Sequence, residues 1–176
     1  MVNFNILAVT LLATGASLVS AQPVDKRAGG PAVVPIPDTC SLVSVSPANN
    51  AQPSSPYVRA RSDDTASAAT TFIPKAAFLS SNRVYAWFAD PGTFSHNASL
   101  AYQICLEQCH GLGSGSDCQS VYFAQTYPAE PQFGGPGGWP SDACIMFKTP
   151  LTAEDLENVP TKNSTATGAI GTNIFC

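Results

Sequence analysis

The stretch ICLEQCHGLGSGSDCQSVYF, Ile104 to Phe123, holds three of the six cysteines and one of the two histidines in a chain of 176 residues. Cys105 and Cys109 stand four apart. A Gly/Ser run follows, then Cys118, then an apolar run containing Val121 and Phe123. A metal centre, a nucleophile with its base, or a set of disulfide staples would each use thiols in such a row. The helical geometry constrains the choice. Residues four apart share one helix face, so Cys105 and Cys109 point at the same neighbour, with Ala101 and Tyr102 beside them. Two cysteines at this spacing pair with each other only with difficulty. Each is expected to staple the helix to a different strand of a sheet beneath it. Cys105, Cys109, Cys118 and His110 would make a tetrahedral donor set, but His110 projects about 100° away from Cys109 around the helix axis.

The N-terminus decides between oxidised and reduced thiols. Ile6 to Val19 is a mostly apolar run without charge. It is short for a membrane span and ends at Val19-Ser20-Ala21, small residues at the spacing a signal peptidase accepts. Residues 1–21 therefore read as a signal peptide cut after Ala21, although no Lys or Arg precedes the apolar run. Residues 22–27 form a short polar segment ending in Lys26-Arg27. It resembles the pro-peptides removed by kexin-type proteases, an arrangement common in secreted fungal proteins. Cleavage there would start the mature chain at Ala28. A secretory route oxidises thiols, which favours disulfides over a thiolate metal site. Six cysteines allow fifteen pairings, and their positions alone leave that choice open. Asn97-Ala-Ser99 and Asn163-Ser-Thr165 are sequons, so Asn97 and Asn163 are candidate N-glycosylation sites.

Charge narrows the partners. Eight basic and twelve acidic residues give a net charge of −4. No Lys/Arg cluster occurs, which argues against nucleic acid and anionic membrane surfaces. No second apolar stretch is long enough to insert into a bilayer. The chain is expected to be secreted, extracellular or wall-associated.

Along the chain, Leu42, Val43 and Val45 form a strand-like patch after Cys40. Residues 46–71 are dominated by Ser, Pro, Ala and Thr and read as a low-complexity insert. Order resumes at Phe72-Ile73, and Val84-Tyr-Ala-Trp-Phe88 is a strand closed by Asp90-Pro-Gly92. Residues 98–110 favour a helix capped by Asn97 and stopped by Gly111. Val121 and Phe123 mark the next strand. Residues 128–143 are rich in Gly and Pro and read as a long loop before the strand Ile145-Met-Phe147. Thr152 caps a short helix with Asp155 at its third position and Leu151 and Leu156 as a staple. Gly168 to Phe175 gives the last strand. Several short strands around one principal helix make an α+β domain over residues 28–176.

At this point the chain resembles a family. A helix carrying Cys105-Leu-Glu-Gln-Cys109, then Cys118-Gln-Ser-Val-Tyr-Phe123, then Cys144-Ile-Met-Phe147, is similar to the PAN/apple module, of which secreted fungal proteins often carry degenerate copies. The resemblance covers residues 98–147 well and reaches Cys40 and Cys176 by topology only. It implies a small antiparallel sheet cradling one main helix. It also implies the pairs Cys105–Cys144, Cys109–Cys118 and Cys40–Cys176. The chain departs from the module in its longer segment after Cys40 and its Gly/Pro-expanded loop before Cys144.

Catalytic arrangements find little support. Gly111-Leu-Gly-Ser-Gly-Ser116 does not match Gly-x-Ser-x-Gly, and it follows a helix where a nucleophile elbow follows a strand. His96 lies beside a sequon and reads as solvated. Asp63-Asp64 falls in the low-complexity segment. Glu154, Asp155 and Glu157 crowd the start of a short helix, where carboxylates favour the helix dipole. No cofactor, metal or enzymatic activity is expected. Tyr127, Phe133 and Trp139, in or beside the Gly/Pro-rich loop, are the candidate ligand-binding residues, because aromatics flanked by glycine can stack on sugar rings or anchor a protein partner. Core-edge cover is the competing reading for the same rings. The leading expectation is a non-enzymatic recognition module for an extracellular protein or polysaccharide. The runner-up is a secreted effector or structural wall protein without a specific ligand site. The sequence leaves the oligomeric state open.

Overall fold

The computed structural model describes residues 30–47, 49–52, 71–94, 96–112, 117–131, 134–159 and 166–176. Among them the strands are β1 (Ser41–Ser46), β2 (Asn49–Gln52), β3 (Thr71–Pro74), β4 (Arg83–Ala89), β5 (Ser120–Pro128), β6 (Pro140–Phe147), β7 (Leu156–Val159) and β8 (Thr167–Phe175). The helices are α1 (Ala76–Asn82) and α2 (Ala98–Gly111). The chain is α+β. Six strands form one antiparallel sheet in the order β2-β1-β8-β5-β6-β4, and β3 pairs with β7 in a separate ribbon.

The central strands β5 and β6 are covered on both faces. Val121, Phe123, Cys144 and Met146 face α2, while Tyr122, Ala124, Ile145 and Phe147 face the β3–β7 ribbon and α1. Two-sided cover explains why Val121–Ala124 and Ala143–Phe147 read as unbroken apolar runs. On the ribbon side Phe72 meets Tyr122 edge-on at 6.0 Å, and the Tyr122 hydroxyl donates to the Phe72 carbonyl at 2.7 Å. Phe78 of α1 packs on Phe147 at 4.9 Å. A buried Asn173 on β8 accepts from the Leu151 N–H at 2.7 Å and donates to the Leu151 carbonyl at 2.9 Å. This reciprocal pair holds the segment before β7 against the sheet. A one-layer sheet under one helix is therefore an incomplete description, because a ribbon and a second, seven-residue helix cover the other face.

α2 forms where its cap and apolar face call for it. The Asn97 side chain accepts from the Leu100 N–H at 3.0 Å, and Ala101, Cys105, Leu106 and Cys109 make the buried stripe. Cys105 is joined to Cys144 on β6, Cys109 to Cys118 just before β5, and Cys40 to Cys176. These are the pairs that the PAN/apple resemblance implies. The Tyr102 and Thr172 hydroxyls share a 2.6 Å hydrogen bond that adds β8 to the attachment. Trp87 Nε1–H donates to Gln108 at 2.6 Å and adds β4.

Several boundaries differ from the sequence reading, each for a local reason. Gly111 does not stop the helix in a left-handed conformation. It is the last helical residue, and Leu112 follows in right-handed geometry at φ −68°. A Cβ at Gly111 would collide with the Ala32 carbonyl, because residues 30–36 cross the helix and the Val34 N–H donates to the Glu107 carbonyl at 3.1 Å. The residues after Thr152 make only a three-residue 3₁₀ turn, with Glu157 already on β7. The Asp155 carboxylate accepts from the Thr152 N–H and hydroxyl, so the start signal is real. Pairing with β3 then takes the chain into a strand. The loop expected over 128–143 is shorter, since β5 runs to Pro128 and β6 starts at Pro140. Strands also occupy both margins of the 46–71 segment, and its residues 53–70 lie outside the described residues.

Candidate functional site

The far end of the β5–β6 hairpin is the most built exposed feature. The ladder pairs Tyr127 with Ser141 and Pro128 with Pro140. The Ala129 N–H continues it by donating to the Trp139 carbonyl at 2.9 Å. Trp139 lies two residues from Ser141 and so on the side of the ribbon that carries Tyr127. Gly138 sits at φ +87°, and its N–H donates to the Ala129 carbonyl at 2.7 Å. Gly137, at φ +73°, packs so tightly on the Ala129–Pro131 backbone that a Cβ would fall 2.6 Å from the Ala129 oxygen. Only glycine meets both demands. Ala129 itself is buried beneath this turn. Arg83 of β4 places Nη1 at 2.5 and 2.6 Å from the two Glu130 oxygens, which ties the loop to the sheet edge.

Tyr127 belongs to the end of β5, outside the loop. A register irregularity between Ala124 and Tyr127, with Thr126 at φ +52°, turns Tyr127 onto the ribbon side. Its ring stacks on Phe88 at 6.1 Å and meets Tyr122 edge-on at 6.1 Å. Burial raises its pKa, Glu130 adds to the rise and Arg83 opposes it. Tyr127 thus forms the floor of the hairpin end, and Trp139, in the turn that leads into β6, is partly buried. Phe133 lies outside the described residues, as do Ala21, Lys26, Arg27, Asn163 and the Asp63-Asp64 pair. Asn97 is exposed at the head of α2. Its cap bond uses the side-chain oxygen and does not engage the amide nitrogen, the atom a glycan at this sequon would use.

A second polar feature lies on the α2 side of the sheet. Asp142 on β6, paired with Ala89, is 2 % exposed. Gln125 hydrogen-bonds its carboxylate, while Oδ1 has no partner among the described residues. Burial raises its pKa, against opposing contributions from His96 and Gln125. His96 is exposed and held at φ +58° in the turn before α2. Nothing in Pro-Ser-Asp-Ala-Cys signals this buried acid in the sequence, because its burial comes from strand pairing. The described residues contain no group of three or more His, Cys, Asp or Glu arranged to hold a metal ion, and no helix among them is long and apolar enough to cross a membrane.

Comparison with known proteins leaves the fold to stand on its own geometry. No family model matches the chain, and neither a curated protein nor a solved structure matches it.

Proposed function

We propose that the chain is a secreted, non-enzymatic recognition module of PAN/apple-like type, binding an extracellular protein or polysaccharide at the cell surface or wall through the end of the β5–β6 hairpin. The rigid seating of Trp139 carries this reading. Its backbone is fixed by the Ala129 bond, its loop by Gly137, Gly138 and the Arg83–Glu130 pair. An aromatic ring presented on a rigid turn orders little further on binding, which is what an anchor needs. A helix tied by two cysteines to the sheet it packs on supports the PAN/apple-like assignment. Three disulfides and the absence of a membrane-spanning helix among the described residues are compatible with an extracellular location.

The competing structural reading draws on one observation: Tyr127 is engaged with Phe88 and Tyr122 and is a core-edge residue as much as a contact residue. Probing a glycan and wall-polysaccharide array with the chain from Ala28 onward separates the two. The recognition reading expects saturable signal on a discrete subset. Silence on the array, together with no binding to extracellular protein fractions, leaves only the structural role.

A further inference from the structure

The three disulfides stand in different surroundings. Cys105 and Cys144 are fully buried, Cys109 is nearly so at 1 % exposure with its partner Cys118 partly buried, and Cys176 alone of the six is exposed. The Cys176 sulfur also has His110 Nδ1 at 3.9 Å, projecting from the last turn of α2. We infer that the Cys40–Cys176 bond is a site of thiol–disulfide exchange, whose reactive end is the exposed Cys176 sulfur beside His110 and whose co-reactant is a low-molecular-weight thiol.

The chemistry follows from access and charge. An incoming thiolate reaches Cys176 Sγ, while Cys40, at 7 % exposure, is shielded. A sulfur–sulfur bond forms between the thiol and Cys176, and the Cys40–Cys176 bond breaks with its electron pair on Cys40, which then takes a proton from solvent. A second thiolate attacks the small-thiol sulfur of the mixed disulfide. Cys176 leaves as a thiolate, and His110 Nδ1 stands at the place to donate an N–H to it. Two thiols are oxidised to one small disulfide and the Cys40–Cys176 bond is reduced to two thiols.

Position gives the exchange a consequence. Cys40 lies between the segment that crosses α2 and the start of β1, so opening the bond removes the covalent anchor of that segment. Cys105–Cys144 and Cys109–Cys118 continue to hold helix to sheet.

The test is native-state reduction of the full chain by reduced glutathione, quenched by alkylation and read by peptide mapping. Cys40 and Cys176 are expected to be modified first, with a glutathione adduct passing through Cys176, while Cys105 and Cys144 stay protected. His110→Gln is expected to slow the second step, release of Cys176 from the mixed disulfide, so that the glutathione adduct on Cys176 persists about threefold longer or more. The order of opening in the wild-type chain needs no variant to fold. Loss of Cys109–Cys118 before or together with Cys40–Cys176 overturns the inference, as does an unchanged lifetime of the Cys176 adduct in a folded His110→Gln variant.

Discussion

Asp142 shows how one buried carboxyl sets a pH response. Its raised pKa comes first from burial, and His96 and the Gln125 amide only partly offset it. A group that binds its proton more tightly folded than unfolded contributes stability below its unfolded pKa, about 3.9. That contribution is lost as pH rises through the higher folded value. The protein is therefore expected to lose stability at this site as pH rises above the ordinary carboxylate range. Asp142→Asn cannot ionise, so thermal melts at a series of pH values should show a flatter slope, with a Tm at pH 7 no lower than wild type. A variant that melts lower at pH 7 with the wild-type slope would remove Asp142 from this role. The tyrosines respond at the opposite end of the scale. Burial raises Tyr102, Tyr122 and Tyr127, so their contribution is intact below about pH 10 and lost above it. Absorbance titration should show a fraction of the tyrosines ionising only as the chain unfolds; ionisation of all of them before any loss of far-UV dichroism would contradict that burial.

At the scale of elements, the sequence was legible where the signal is local. Asn97 as a cap, the Cys105/Cys109 face and the aromatic strand at 84–88 depend on near neighbours and lie where they were expected. The second layer was not legible. Phe72-Ile73 and Leu156 each belong to four-residue strands that exist only because they pair with each other across more than eighty residues. The structure makes that layer testable. Phe72→Ala removes a ring packed on Tyr122 and is expected to cost about 3–5 kcal/mol in denaturant unfolding; a loss under about 1 kcal/mol would mean the ribbon is not part of the core. Gly111 supplies the other case. Helix propensity alone favours Gly111→Ala by about 1 kcal/mol. The Ala32 carbonyl occupies the space the methyl would need, so the substitution is expected to lower Tm instead. The candidate site divides in the same way. The Gly/Pro run announced a loop, but only the bulge at Thr126, invisible to a count of alternating residues, decides which face Tyr127 takes.

For the molecule as a whole, cross-linking carries much of the stability. Disulfides spanning 9, 39 and 136 residues correspond to about 3, 4 and 5 kcal/mol of loop-closure entropy if each is taken alone. Nested loops do not add in full, yet even one such term is large beside the stability of an ordinary domain. A scaffold fixed in this way can hold a binding edge rigid with little further ordering, and the hairpin end with Trp139 is the place where that rigidity meets solvent. The most direct measurement is a binding isotherm of the chain from Ala28 onward on the strongest ligand found on the array, compared with Trp139→Ala. Recognition through the hairpin end predicts saturable binding that Trp139→Ala weakens by at least about fivefold, roughly 1 kcal/mol, with the melting curve unchanged. Equal affinity in the two proteins would contradict it.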